Sequence, residues 1–379
     1  MDFGFSQDQE MLRQSARDFL EQQCDMALVR RLMEEAEGHA PGLWSQLAEL
    51  GWLGLLLPED QGGIGTDLVD MAIVLEEMGR VVLPGPYLST AVLAMTALLE
   101  ERRTEVVAEA LAEIAAGRRR VAVAWLEADG RWEADAIATQ ATRRADGGFE
   151  LSGTKVFVPD ALGADEILVA ARAPGSAGED GLDIFRVPAA ADGLRIQPLR
   201  TMDQTRKQAE VRLDGVVVPP EARLGDEASG WARLQRMADV GRVALAAESC
   251  GGAARVLEMS VAYAKVREQF GRPIGSFQAI QHKCADMMVK VESGRSAAWY
   301  AAWALANQAE DAALAAATAK AWCSDAYREV AGDGIQIHGG IGFTWEHDMH
   351  IYFKRAKSSE VAFGDAVANR ERIAQTILP

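Results

Sequence analysis

Apolar residues recur at helical spacing over the first third of the chain, shift to short alternating runs in the middle, then return to helical spacing. The first zone, Met1 to about Arg118, opens on a capping box: Ser6 is followed by Gln9, ahead of Met11, Leu12 and Phe19 at helical spacing. GWLGLLLPEDQGGIG, Gly51 to Gly65, interrupts that zone, because Pro58 and the glycines break one helix before the next. Helical spacing resumes over Leu68 to Met78 and around Ala91 to Glu100.

From about Arg120 to Gly225 the period shortens. VAVAWLEA, GGFELSGTKVFV, EILVAARA, LDIFRV, LRIQPL and AEVRLDGVVV are β-branched or alternating runs separated by Gly, Pro and Asp. They predict a small antiparallel β-domain. From Gly230 long Ala-rich helices are expected, with Val243 to Lys265 and Ala279 to Trp303 the clearest. The zones divide into an N-terminal helical domain over 1–119, a middle β-domain over 120–226 and a C-terminal helical bundle over 227–379. Helices, strands, then helices again make the fold class α+β and not a doubly wound sheet.

Composition narrows the function classes. The 379 residues exceed one small core, and 49% hydrophobic with 25% charged residues is ordinary globular composition. A net charge of −17 argues against a nucleic-acid partner, which calls for a basic face. No apolar run reaches ~18 residues, so no membrane association is expected. The start, MDFGFSQDQEMLRQ, lacks the basic and apolar stretches of a signal peptide. Cys24, Cys250, Cys284 and Cys323 are scattered with no CxxC, which reads as reduced, buried thiols in a cytoplasmic protein.

Two stretches of the last zone carry the candidate chemistry: REQFGRPIGSFQAIQ, Arg267 to Gln281, and IQIHGGIGFT, Ile335 to Thr344. Arg267 and Phe270 offer a fixed cation and an aromatic face, suited to a phosphate and a planar ring. Gly339 and Gly340 let a ligand approach the backbone closely, since glycine has no side chain. No Gly-x-Gly-x-x-Gly opens the chain, so a Rossmann-type flavin site is excluded.

Together these segments resemble the FAD-contacting segments of the acyl-CoA dehydrogenase family. GWLGLLLPEDQGGIG resembles the family's early signature, and MDQTRKQAEVRLDGVVVP, Met202 to Pro219, the segment closing its middle domain. The resemblance implies N-terminal helices, a middle β-domain and a C-terminal four-helix bundle, with FAD held between domains and a dimer mate. It implies that Arg267 and Phe270 contact the FAD of a neighbouring subunit, and that Gln278, Gln336, Gly339 and Gly340 line its adenosine and pyrophosphate pocket. It also implies an acyl-CoA substrate, Arg242 near it, and an electron-transfer flavoprotein as acceptor.

The resemblance breaks at the chemistry. The family's base is a glutamate 27 residues after the glutamine of QxxGG; here that position is Phe363, followed by Gly364 and Asp365. The alternative base position is Gly241. The family's Thr-Glu-Pro segment is replaced by AWLEA around Trp125. KVFVPD puts Phe157 at the family's Trp and Pro159 at its N5-bonding hydroxyl, and proline donates nothing. Glu248, seven residues past Gly241 among small apolar neighbours, is the surviving candidate base, against the alternative of a buried glutamate paired with an arginine. Asp365 is second, and Glu360 reads as a solvated helix residue. His347 and His350 in EHDMH lack a third ligand, so a metal role is not expected. Trp299, Trp303 and Trp322 read as bundle core.

Two alternatives follow. One is an FAD-dependent acyl-CoA dehydrogenase with Glu248 as base, acting alone as a homotetramer or as one subunit of a heteromer. The other is a non-catalytic subunit lending FAD contacts to a catalytic homologue. Bacterial members of the family that form α2β2 heterotetramers, including some that degrade steroid side chains, resemble that pattern. An oxygen-activating flavin monooxygenase on the same fold is a minor third reading.

Overall fold

The computed structural model describes residues 4–101 and 104–378. Helix α1 (Gln7–Gln23) starts from the expected capping box, with both reciprocal Ser6–Gln9 bonds present. Helices α2 (Met26–Glu34), α3 (Pro41–Glu49) and α4 (Leu68–Arg80) follow. The stretch expected to be helical around Ala91 to Glu100 is wound more loosely at first. Tyr87–Ala94 is a π-helix that tightens into α5 (Met95–Leu99), ahead of α6 (Glu105–Ala115).

The middle zone forms β1 (Val121–Ala124), β2 (Gln140–Arg143), β3 (Phe149–Pro159), β4 (Glu166–Arg172), β5 (Leu182–Pro188), β6 (Leu194–Pro198) and β7 (Gln208–Val218). They lie in one sheet in the order β1-β4-β2-β3-β7-β6, with β5 also on β4. The pairs β2/β3, β3/β7, β4/β5 and β6/β7 are antiparallel, as the alternating runs anticipate. However, β1 runs parallel to β4, because a long connection separates them in sequence and no hairpin can join them. Leu151, Val158, Ile167, Val169, Phe185, Val211 and Val216 fill the core on one face.

The last zone comprises α7 (Gly230–Val266), the short hairpin β8 (Glu268–Gln269) and β9 (Arg272–Pro273), α8 (Gln278–Ala306), α9 (Ala312–His338), α10 (Met349–Val361) and α11 (Ala366–Ile377). Two compact units result. One comprises Met1–Arg30, Asp67–Leu83 and Arg242–Pro379, the other Arg31–Thr66 and Pro84–Gly241. The first unit therefore gathers α1 and α4 with the C-terminal helices, while α3, α5 and α6 belong with the sheet.

Inside the helical unit α4 and α7 touch backbone to backbone. A Cβ on Gly251 would lie 1.7 Å from the Glu76 carbonyl oxygen, and one on Gly79 would lie 2.0 Å from that of Glu248. Only glycine permits that approach. Alanines 298, 301, 302, 316 and 319 are buried in these helices, whereas none of Trp299, Trp303 and Trp322 is. Trp303 is 37% and Trp322 44% exposed, contrary to the expectation that both are interior.

Candidate active site

The turn that carries the family's base position joins α10 to α11. Phe363 is buried there with φ +56°, and Gly364 follows with φ +86°. No carboxylate points from position 363. The next residue, Asp365, is exposed and is the N-cap of α11: its Oδ1 accepts from the Ala368 N–H at 2.8 Å. Its carboxylate is thus engaged at the helix start.

Glu248 is buried on α7, as its small apolar neighbours led us to expect. Its counter-charge is Arg355 of α10, whose Nη1 donates to Glu248 Oε1 at 2.7 Å while Nη2 donates to the Leu83 carbonyl at 3.1 Å. Arg242 is buried as well, and its Nε donates to the Phe363 carbonyl at 3.3 Å. That bond is to the turn itself. Glu360 is not solvated: its side chain is largely covered and pairs with Arg328 at 3.2 Å, because α10 packs its last turn against α9.

The flavin-matching segments come together at one end of the helical unit. Tyr263, four residues before Arg267, stacks on His338, the residue before Gly339, with ring centroids 4.4 Å apart. The Arg267 N–H bonds to Tyr263 O and the Ile274 N–H to Arg267 O, so the β8–β9 hairpin is tied to the end of α7. Arg267, Gln278, Gln336, Gly339 and Gly340 are exposed. Phe270 is 93% exposed in a left-handed conformation, φ +53°. A Cβ on Gly339 or Gly340 would meet nothing within 4 Å, so the backbone there is open to an approaching group.

His338 donates through its Nδ1–H to the Gly334 carbonyl at 2.7 Å, and desolvation lowers its pKa. His347 packs on His338, and its Nδ1 accepts from the Met349 N–H. His350 is buried with its ring edge-on to Trp345, and desolvation lowers its pKa too. Of the thiols, Cys24, Cys250 and Cys323 are buried as expected, whereas Cys284 is half-exposed.

In the sheet unit, β3 carries the other divergent segment. The register slips between Lys155 and Val158, and this bulge turns Phe157 to φ +52° with half its surface exposed. Pro159 ends the strand opposite Gln208, where no ladder donor is required. The fully buried Lys155 donates to the Trp125 carbonyl at 3.1 Å and to Glu127 Oε1 at 2.8 Å. Burial pulls its pKa down to about 8, partly offset by Glu127. That pair fixes AWLEA on β3.

Models of the acyl-CoA dehydrogenase N-terminal, middle and C-terminal domains match residues 6–118, 122–216 and 228–378. The chain belongs to the acyl-CoA dehydrogenase family. It is 36% identical to the acyl-CoA dehydrogenase IpdE2 of Mycolicibacterium smegmatis, over 95% of each chain. It is 29% identical to the caffeyl-CoA reductase-Etf complex subunit CarC of Acetobacterium woodii, over 92% of this chain and 93% of that one. Among solved structures, the ChsE4-ChsE5 complex from Mycobacterium tuberculosis superposes with a TM-score of 0.88 at 29% identity, over the whole of both chains.

An acyl-CoA dehydrogenase is an oxidoreductase that removes hydrogens from the α and β carbons of an acyl-CoA, with FAD as cofactor. The fit to FAD is uneven. Arg267, Phe270 and the bare Gly339–Gly340 backbone are exposed and suit a phosphate, a planar ring and a pyrophosphate. Pro159 and Phe157 bring no donor for a flavin ring. Sequence reasoning missed Arg355, the partner of Glu248, and Lys320 and Asn369, which bond the turn of Phe363. Lys320 had a signal: it is a lone charge in the run AAATAKAWC.

Proposed function

We propose that this chain is the flavin-lending subunit of a heteromeric acyl-CoA dehydrogenase, paired with a homologous chain that carries the carboxylate base. One observation carries the reading: the turn of the base presents a buried phenylalanine, while the nearest candidates are committed elsewhere, Glu248 to Arg355 and Asp365 to the start of α11.

When bound, FAD supplies the hydride acceptor for the β-carbon. In this reading Arg267 and Phe270 reach the cofactor of the neighbouring subunit, and Gln278, Gln336, Gly339 and Gly340 line its adenosine and pyrophosphate. Arg267 neutralises phosphate charge, and Phe270 covers an apolar ring edge. Arg242 holds the turn through the Phe363 carbonyl, on the element where the resemblance sets the substrate. Phe363 fills a space from which water is excluded, which a chain without a base tolerates. A partner of the same fold supplies the proton acceptor. The resemblance to an Etf-complex subunit supports an electron-transfer flavoprotein as acceptor, and the likeness to a two-protein complex supports the α2β2 assembly over a homotetramer. No helix among the described residues is long and apolar enough to cross a membrane, and four unpaired cysteines fit a reducing cytoplasm.

The test is the flavin-to-polypeptide ratio. Purified alone, this chain retains little FAD; co-expressed with a glutamate-bearing homologue, the complex retains it and turns over acyl-CoA. About one FAD per chain in the isolated protein would overturn the reading in favour of a self-sufficient homo-oligomer. A second arm uses Phe363→Glu. The left-handed backbone there already accommodates a non-glycine residue, so the change adds no new backbone strain.

A further inference from the structure

Side chains from three helices converge on the carbonyls of a single turn. Arg242 of α7 donates to Phe363 O. Asn369 of α11 donates through Nδ2 to Phe363 O at 3.4 Å, Gly364 O at 2.9 Å and Asp365 O at 2.9 Å. Lys320 of α9 donates through Nζ to Glu360 O at 2.9 Å, Gly364 O at 3.2 Å and Ser324 Oγ at 2.7 Å. The turn they hold has two successive left-handed residues, one of them a bulky phenylalanine, a conformation that L side chains rarely adopt. Such backbone persists where its surroundings over-determine it.

Among the three donors Lys320 is the unusual one. A lysine is rarely buried fully, yet Lys320 is 1% exposed and its bonding partners are neutral oxygens. Two of those oxygens lie on either side of position 363. We infer that Lys320 is a positioning residue, whose Nζ pins the carbonyls flanking Phe363 and thereby sets where the residue-363 side chain stands in the active-site turn.

The donor count fits. An ammonium has three N–H groups for three acceptors. The neutral amine keeps two N–H groups and a lone pair, which the Ser324 hydroxyl can satisfy by reversing its bond. Loss of the proton therefore weakens the clamp without dismantling it. Burial pushes the Lys320 pKa down to about 7, with Arg242 acting in the same direction and Cys323, Glu360 and Asp365 opposing it. Those are the charged and titratable groups that face Lys320 from α7, α9, α10 and the turn.

The catalytic meaning of the clamp rests on the reading that residue 363 stands at the base position, but the clamp itself is testable without flavin or substrate. The full-length chain is labelled with 4-fluorophenylalanine, and the Phe363 resonance is identified by its loss in Phe363→Leu. In the unsubstituted chain that resonance shifts with a midpoint near pH 7. Ser324→Ala, which removes a partner of the ammonium, moves the midpoint lower. Lys320→Met, close in length and unable to donate, abolishes the midpoint and displaces or broadens the Phe363 signal while the other phenylalanines keep theirs. Should Lys320→Met not fold, the first two measurements decide. A Phe363 resonance that ignores pH from about 6 to about 9 and is unmoved by Ser324→Ala overturns the inference. About one FAD per chain in the isolated protein, beside a Phe363 signal that follows Lys320, sinks the flavin-lending reading and leaves the clamp.

Discussion

Arg355 Nη1 lies 2.7 Å from Glu248 Oε1, and both side chains are buried. A buried ion pair contributes modestly by itself, but removing one partner leaves the other charge stranded. Glu248→Gln is therefore expected to lose about 3–5 kcal/mol of stability in chemical unfolding. Turnover per folded molecule of the assembled enzyme should hardly change. A stable Glu248→Gln protein whose turnover drops by orders of magnitude would instead make Glu248 the base.

Phe270 tests the lent face. Its ring is almost wholly exposed, so Phe270→Ala should leave the stability of the isolated chain within about 0.5 kcal/mol. FAD retention by the co-expressed complex should fall about tenfold or more, corresponding to about 1.4 kcal/mol of lost contact. Flavin fluorescence released on dilution of the complex reads this directly. Unchanged retention would remove Phe270 from the cofactor contacts.

Gly251 and Gly332 both lie inside long helices but differ in their surroundings. Gly251→Ala places its Cβ against the Glu76 carbonyl at 1.7 Å, which α4 and α7 cannot absorb without separating. A loss of about 3 kcal/mol or more is expected. Gly332→Ala meets only Phe353 Cε2, at 4.0 Å, and should gain about 0.5–1 kcal/mol from helix propensity. Melting temperatures moving in the same direction for both would contradict this packing.

His338 and His350 set an acid limit. Desolvation lowers both pKa values, while the unfolded chain titrates near its ordinary value of 6.5. The unfolded state thus binds more protons below that pH, and their contribution is intact above about 6.5 and is lost as pH falls. Asp183 opposes this, since burial raises its pKa to about 6 and favours the folded state as it protonates. His350→Leu should therefore flatten the acid side of the stability–pH curve relative to the unsubstituted chain. An unaltered curve would exclude His350 from it.

Lys320 shapes the alkaline side. With its folded pKa near 7 and an ordinary value of 10.5 when unfolded, stability should rise with pH between those values. Lys320→Met should remove the part of that rise between about 7 and 8 and leave the contribution of Lys155, whose pKa burial lowers to about 8. Urea midpoints at a series of pH values measure both.

Local patterning made much of the fold legible. The Ser6–Gln9 cap, the glycine-broken stretch after Gly51, the alternating strands and the long alanine-rich helices all express preferences carried by neighbours in the chain. What patterning missed depended on distant neighbours. Pro84, Gly85 and Pro86 mark where the helix at Tyr87 can start, but nothing local signals its π winding. Trp299, Trp303 and Trp322 read as core by spacing, yet the buried positions of their helices are held largely by alanine.

The candidate site divides the same way. The absence of a carboxylate at Phe363, the absence of a hydroxyl at Pro159 and the match of residues from Arg267 to Gly340 to the family's flavin segments were legible in the sequence alone, since each turns on residue identity at a matched position. Only the tertiary structure decided that Glu248 neutralises Arg355, that Asp365 caps α11, and that Arg242, Lys320 and Asn369 share one turn. Those residues lie far apart in the chain, and a buried charge takes its role from whatever partner the packing of helices brings within hydrogen-bond reach.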